Sequence, residues 1–501
     1  MSVPPERFPR IETAVFALAI ALGGACGAPS RVSGDTGGGG TTGSGGSTGT
    51  AAAGTAGLGA GGAAGGGGSG GGRGGFGGAI GAAGQAGTSG TGGSAAGGTG
   101  APSGGASGSG GRGGSGSGGS TGAGGANPPL IPGSGHCAAP SGANLADAQA
   151  AYAKWKSDLV VGDGARGFLR VQRPNSSGAQ VDSTVSEGIG YGMLLAVYAN
   201  DQNTFDQLWQ YEQQFPDNHG LMNWYISADG TMALGTGAAT DGDEDMAFAL
   251  VMADQRWGGQ GSLSQSYLAS AKTLIGLIWQ YEVDPNHGYV LTSGDQSDGS
   301  VINISYFAPA YYRAFGRVTG QTSNWNKVID ESYTVISNTL NAQNGNTQNG
   351  LVPAWSTPAG VPMTPPGTSM PLYHQLDSCR TPFRLGEDYC WNAEPRALAY
   401  LQKITGFYSG VGAANLVDGY DLNGTPHPQF VTAGGPRAAS FVGPAGVGAM
   451  ATGTTNTQLR DDAYAGVATL TELAGSTYYQ ESWTALSLQM MTGILHDLGQ
   501  P

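Results

Sequence analysis

The chain has 501 residues, of which 94 are glycine, and a formal charge of −14. The glycines crowd into the region before residue 135, where large apolar side chains are almost absent, so a compact core along the whole length is excluded. That region carries five arginines against three acids, which leaves about −16 on the remainder. So acidic a surface disfavours nucleic acid and anionic lipid as partners and suits a neutral or cationic polymer.

Residues 1–26 read as an export signal. Arg7 and Arg10 precede a mostly apolar run from Ala14 to Leu22 that is too short to span a membrane as a mature helix. Gly23-Gly-Ala-Cys26 then has two readings. One is a bacterial lipoprotein processing site, which would lipidate Cys26 and anchor the chain to a membrane, although Gly23 stands where Leu is usual. The other is plain signal cleavage. Either way the protein is expected outside the cytoplasm, extracellular or held at the cell surface as a lipoprotein. Residues 27–135 are Gly, Ser, Thr and Ala with too little apolar surface to offset ordering, a disordered tether with a reach of roughly 55 Å.

From residue 136 to 501 the composition is that of one globular domain. Asn144 is a plausible cap for a helix over 144–160, with Leu145, Ala148, Tyr152, Trp155 and Leu159 on one face. Helical periodicity recurs at 187–200, 204–215, 243–257, 263–281, 307–319, 324–340, 377–390, 394–405, 438–451, 458–474 and 481–498, with only short strand-like pieces such as Met222–Ile226. About a dozen helices make an all-α domain, either a solenoid or a closed double ring; the absence of a fixed repeat favours the ring, an (α/α)6 barrel.

Four cysteines suit an oxidising compartment. Cys379 and Cys390 would lie about 16 Å apart on an unbroken helix, too far to bridge, so either one pairs with Cys137 or none is paired. His136 and His374 lack the close ligand spacing of a zinc site, and no metal or cofactor is expected.

Residues 239–257, ATDGDEDMAFALVMADQRW, place Asp241, Asp243 and Asp245 at the start of a helix with a buried face. Acidic capping is the simplest account. A calcium loop fails, because Met246 stands where Gly is needed and Met252 where a bidentate Glu is needed. The run resembles the signature of glycoside hydrolase family 8, A-[ST]-D-[AG]-D-x-x-[IM]-A followed by aliphatics and an aromatic. Those enzymes are inverting and endo-acting, on β-1,4-linked glucans, xylans and chitosan. The resemblance extends from about residue 145 to 497 and implies the (α/α)6 barrel directly.

It also implies roles. Ser186-Glu-Gly-Ile-Gly-Tyr-Gly-Met193 resembles the family block that carries the general acid, which would be Glu187; three glycines in six residues weaken a helix and so imply close backbone approach. Asp241 resembles the aspartate that binds the attacked sugar and contacts the acid. Leu376-Asp-Ser-Cys-Arg380 resembles the block carrying the base, Asp377, with Arg380 three residues on to orient it on one helix face. Glu387 and Asp388 are rival bases. Trp224, in Leu221-Met-Asn-Trp224, and Tyr306 resemble residues of the cleft, where aromatic faces bind sugar. An inverting enzyme needs its two carboxyls about 6.5–9.5 Å apart, one protonated and one ionised. The expected partner is a β-1,4-linked polysaccharide, β-glucan ahead of xylan or chitosan, acted on by a monomer. A non-catalytic carbohydrate-binding surface protein is the alternative from another class.

Overall fold

The computed structural model describes residues 135–174, 180–427, 439–474 and 478–500. The expected signal, Cys26 and tether lie outside them. Among the described residues no helix is long and apolar enough to cross a membrane.

Twelve α-helices are described: α1 (Leu145–Leu159), α2 (Ser186–Tyr198), α3 (Gln202–Glu212), α4 (Thr240–Trp257), α5 (Tyr267–Tyr281), α6 (Pro309–Thr319), α7 (Thr322–Thr339), α8 (Arg380–Asn392), α9 (Pro395–Val411), α10 (Ala439–Ala451), α11 (Thr457–Ala474) and α12 (Tyr478–Met491). The even-numbered helices form a closed ring, each packing on the next and α12 returning to α2. The odd-numbered helices pack around them as an outer layer. This is the (α/α)6 barrel.

The sequence writes the two layers differently. In α5 the buried residues Tyr267, Ala271, Leu274, Ile275 and Ile278 recur at three- and four-residue steps, one stripe facing the inner ring. By contrast α4 is buried continuously from Thr240 to Ala253, and α10 from end to end, because inner helices meet protein on all sides. Asn144 caps α1 as expected, its side chain accepting from Ala146 N–H at 3.0 Å.

Among the described residues, nine short strands lie in the segments that connect the helices. Two pairings matter for the site. β3 (Thr184–Val185) pairs antiparallel with β4 (Tyr225–Ile226), Val185 opposite Tyr225, and runs directly into α2. β8 (Ile302–Asn303) pairs with β9 (Trp355–Ser356) and leads into a 3-10 turn, Ile304–Tyr306, ahead of α6.

The helix expected from 377 begins at Arg380. Asp377 lies in a preceding 3-10 turn, Leu376–Cys379, closed by a Gln375–Ser378 capping box. Cys379 therefore sits at the junction and Cys390 inside α8. Cys390 is bonded to Cys137, and Cys379 is a buried free thiol.

Candidate active site

Five inner helices present polar residues at or just before their N-terminal ends, and these converge on Arg380. Glu187 is in the first turn of α2, Asp241 in the first turn of α4, Tyr306 shortly before α6, Asp377 just before α8, and Tyr478 at the start of α12. Helix N-termini favour negative charge, so this end of the ring is where buried carboxylates cost least.

Close approach of α2 and α4 brings Glu187 and Asp241 together. A Cβ on Gly190 would stand 2.8 Å from the Asp245 Cβ, and one on Gly242 would stand 2.8 Å from the Ser186 carbonyl carbon and 2.9 Å from the Glu187 nitrogen. The glycines that weaken α2 as an isolated helix are what let the two backbones touch.

The guanidinium of Arg380, 1% exposed, holds the centre. Its Nη1 donates to Glu187 Oε2 at 2.8 Å and to Asp241 Oδ2 at 2.5 Å, and its Nε to Ser305 Oγ at 3.0 Å. Nη2 stands 3.7 Å from Asp377 Oδ1. The expected orienting bond from Arg380 to Asp377 is thus not its main contact; the 3-10 turn replaces the helix that would have stacked the two on one face. Asp377 instead accepts from the side-chain amides of Asn303 and Gln375, each at 3.3 Å. Glu187 and Asp377 oxygens on the two arms of one guanidinium stand no more than about 9 Å apart at closest, given contacts of 2.8 and 3.7 Å, a ceiling that accommodates an inverting carboxyl pair.

Electrostatically, the three carboxyls gather around Arg380, and Arg173 adds a second positive charge that acts on Glu187. Burial pushes Asp241 up to about 7, against the pull of Arg380 and with the push of Glu187. Burial likewise raises Asp377, while Arg380 and the two amides hold it back. Glu187 is the most accessible of the three, its side chain 20% exposed against 5% for each of the others. Its Oε1 accepts from Tyr478 OH at 2.5 Å.

The expected aromatics divide. Trp224 is partly exposed and its carbonyl accepts from Ser186 N–H at 3.0 Å, which places it beside Glu187. Its indole lies against Gly235, where a Cβ would come within 2.4 Å. Tyr306 is buried beneath Arg380, whose guanidinium carbon stands 4.9 Å from the ring centre, so it supports the arginine rather than presenting an open face.

The rival bases are elsewhere. Asp388 is fully buried and taken by Arg313 at 2.7 and 3.1 Å and by Tyr333 at 2.6 Å, and Glu387 faces Tyr311 and Arg384. His374 is buried between the Val352 carbonyl and Tyr408 OH, and burial lowers it to about 4. Acidic capping does not describe Asp243. It is wholly buried, and α4 begins without a side-chain cap.

Sequence reasoning missed Asn303, Ser305, Gln375 and Tyr478. Asn303-Ile-Ser305 was readable as an Asx turn, since the Asn303 side chain accepts from Ser305 N–H at 3.0 Å and its hydroxyl at 2.7 Å. Tyr478 carries no local signal.

A family model for glycosyl hydrolases family 8 matches residues 136–493. The chain belongs to that family. It is 38% identical over 363 residues to Endoglucanase A of Acetivibrio thermocellus, covering 70% of this chain and 71% of that protein. To Endoglucanase 2 of Ruminiclostridium josui it is 38% identical over 345 residues, covering 68% and 70%. The apo structure of a β-1,3-1,4-glucanase from Paenibacillus sp. X4 superposes with a TM-score of 0.63 at 29% identity, covering 72% of this chain and 95% of that one. This family 8 chain is therefore a glycoside hydrolase.

Proposed function

We propose that the chain hydrolyses internal β-1,4 bonds of a β-glucan with inversion, Glu187 acting as general acid and Asp377 as general base. The observation that carries the reading is the single guanidinium joining three carboxyls. Burial holds Asp241 up to about 7 against the pull of that guanidinium, so a proton is available in this cluster near neutrality. Glu187, the exposed member, delivers it to the glycosidic oxygen. Asp377, which burial raises while two amide donors and the nearby Nη2 favour its ionised form, takes a proton from water on the other face of the sugar. Asp241, anchored by Arg380, binds the ring between them, and Trp224 offers the partly exposed aromatic surface beside it.

Glucan is preferred over xylan because the relatives reported above are named as glucanases. Incubation with soluble β-1,4-glucan, mixed-linkage glucan, xylan and chitosan, read by reducing ends and viscosity, tests this. The expected result is a steep viscosity fall on a glucan; cleavage confined to xylan or chitosan overturns the substrate, and none at all overturns the enzyme. Proton NMR during early turnover should show the α-anomer first. A β-anomer would assign Asp377 a nucleophile's role instead.

The location belongs to the same proposal. Export by residues 1–26, with Cys26 lipidated and residues 27–135 as tether, would hold the domain clear of the cell surface facing insoluble polymer. A Cys26→Ser chain that still partitions with membranes overturns the anchor.

A further inference from the structure

A second constellation lies beyond the site, between the loop after α3 and the loop after β7 (Val290–Leu291). One ligand atom each from Asp217, His219 and Asp295 lie within 4.8 Å of one another. Each side chain is held by its other contacts. Asp217 Oδ1 accepts from the backbone N–H of His219 at 2.7 Å and of Leu221 at 3.0 Å, and its carboxyl faces that of Asp295. Asp295 Oδ1 accepts from Ala238 N–H at 2.7 Å, and its Oδ2 faces His219 Nδ1 at 2.5 Å. The imidazole is fixed in plane by Tyr281, the ring centres 4.0 Å apart.

Behind this trio stand three fully buried carboxyls, Glu212, Asp243 and Glu282. The Asp243 and Glu282 carboxyls face each other, with the Thr240 hydroxyl beside Glu282. The charge of Asp295 acts on Glu282, and that of Asp217 on Asp243 and Glu212, so all five acids share one electrostatic environment. Among the described residues, none of the five has a lysine or arginine within salt-bridge distance; His219, against Asp295, is the one basic partner. Elsewhere in the barrel, some buried acids do meet a guanidinium, Arg380 at the site and Arg384 beside Asp245 and Glu387.

We infer that Asp217, His219 and Asp295 bind one divalent cation of the zinc class. Two carboxylates and an imidazole are a zinc-type donor set, held by the Oδ1 contacts of Asp217 and Asp295 and by Tyr281; the ion would part His219 Nδ1 from Asp295 Oδ2 and take the place of the proton between them, with a fourth position open to solvent at the one-third-exposed His219. The ion would tie the loop carrying Asp217 to the loop carrying Asp295 and, through Ala238, steady the start of α4. The trio escapes sequence reading because Asp295 is 76 residues from His219.

The test uses the full chain without a polyhistidine tag, stripped with EDTA and titrated with zinc chloride by calorimetry and thermal melting. We expect one zinc per chain and, at a hundredfold excess over Kd, a Tm rise of roughly 3–6 °C. His219→Ala, at a partly exposed position, should keep its circular dichroism and its activity in EDTA while losing at least about tenfold in zinc affinity. Glu187→Gln should bind zinc as the parent does. No uptake, equal affinity in His219→Ala, or loss in Glu187→Gln instead would each overturn the site. A Tm rise with calcium but none with zinc would overturn the class of ion.

Discussion

Asp241 and Asp243 leave α4 two residues apart, on opposite sides of the helix, and enter two different acid clusters. Asp241 turns to the inner ring, where Arg380 bonds it at 2.5 Å and links it to Glu187 and Asp377. Asp243 turns toward the ends of α3 and α5, where Glu212 and Glu282 surround it and, among the described residues, no guanidinium stands within salt-bridge distance. Burial raises both acids, Asp241 only to about 7 because Arg380 opposes the shift. One cation thus separates a cluster poised to exchange protons near neutrality from one that holds them or needs a metal. The motif that carries both aspartates says nothing of this division, since the cations come from other helices.

Removing the proton donor breaks the first cluster's function most directly. Glu187→Gln should cut kcat by about 10²–10⁴-fold with folding intact, and Asp377→Asn similarly, measured as reducing ends from a soluble glucan. Retention of a tenth of the activity by either variant removes that residue from the chemistry. Arg380→Met makes the first cluster resemble the second, three buried acids without a bonded cation. It should destabilise the fold by roughly 3–5 kcal/mol in chemical denaturation near pH 7, and much less at pH 5, where the acids are more readily protonated. An equal loss at both pH values would mean that the arginine acts by packing alone.

Much of this was legible beforehand, for reasons the two layers make clear. Outer helices such as α5 carry a single apolar stripe, and periodicity finds them. Inner helices keep the period but are buried on more than one face, and α2 and α4 carry motifs besides; the glycines at 188, 190 and 192 signalled the contact that Gly190 makes. What stayed hidden came through space. The 3-10 turn at Asp377 replaced an expected helix because Gln375 and Ser378 close a local box there. Arg380 was assigned to its neighbour in sequence, yet its 2.5 and 2.8 Å partners are 139 and 193 residues away. Tyr478, which bonds Glu187, is 291 residues from it.

The second cluster offers the smallest effect, and its sign can be worked out. Burial pushes Glu212 up to about 8 from an ordinary value of 4.5. Between those two pH values the folded chain keeps a proton that the unfolded chain has lost, so stability falls as pH rises from about 4.5 to about 8 and then levels. Glu212→Gln cannot lose that proton, and its amide can still meet the Gln213 side chain that bonds Glu212. In EDTA, the variant should match the parent near pH 4.5 and exceed it at pH 8 by roughly 1–2 kcal/mol, a flatter slope read from denaturant midpoints. If the slopes are parallel, Glu212 is ionised in the folded state, and the contrast between a cluster with a cation and one without does not govern where the protons sit.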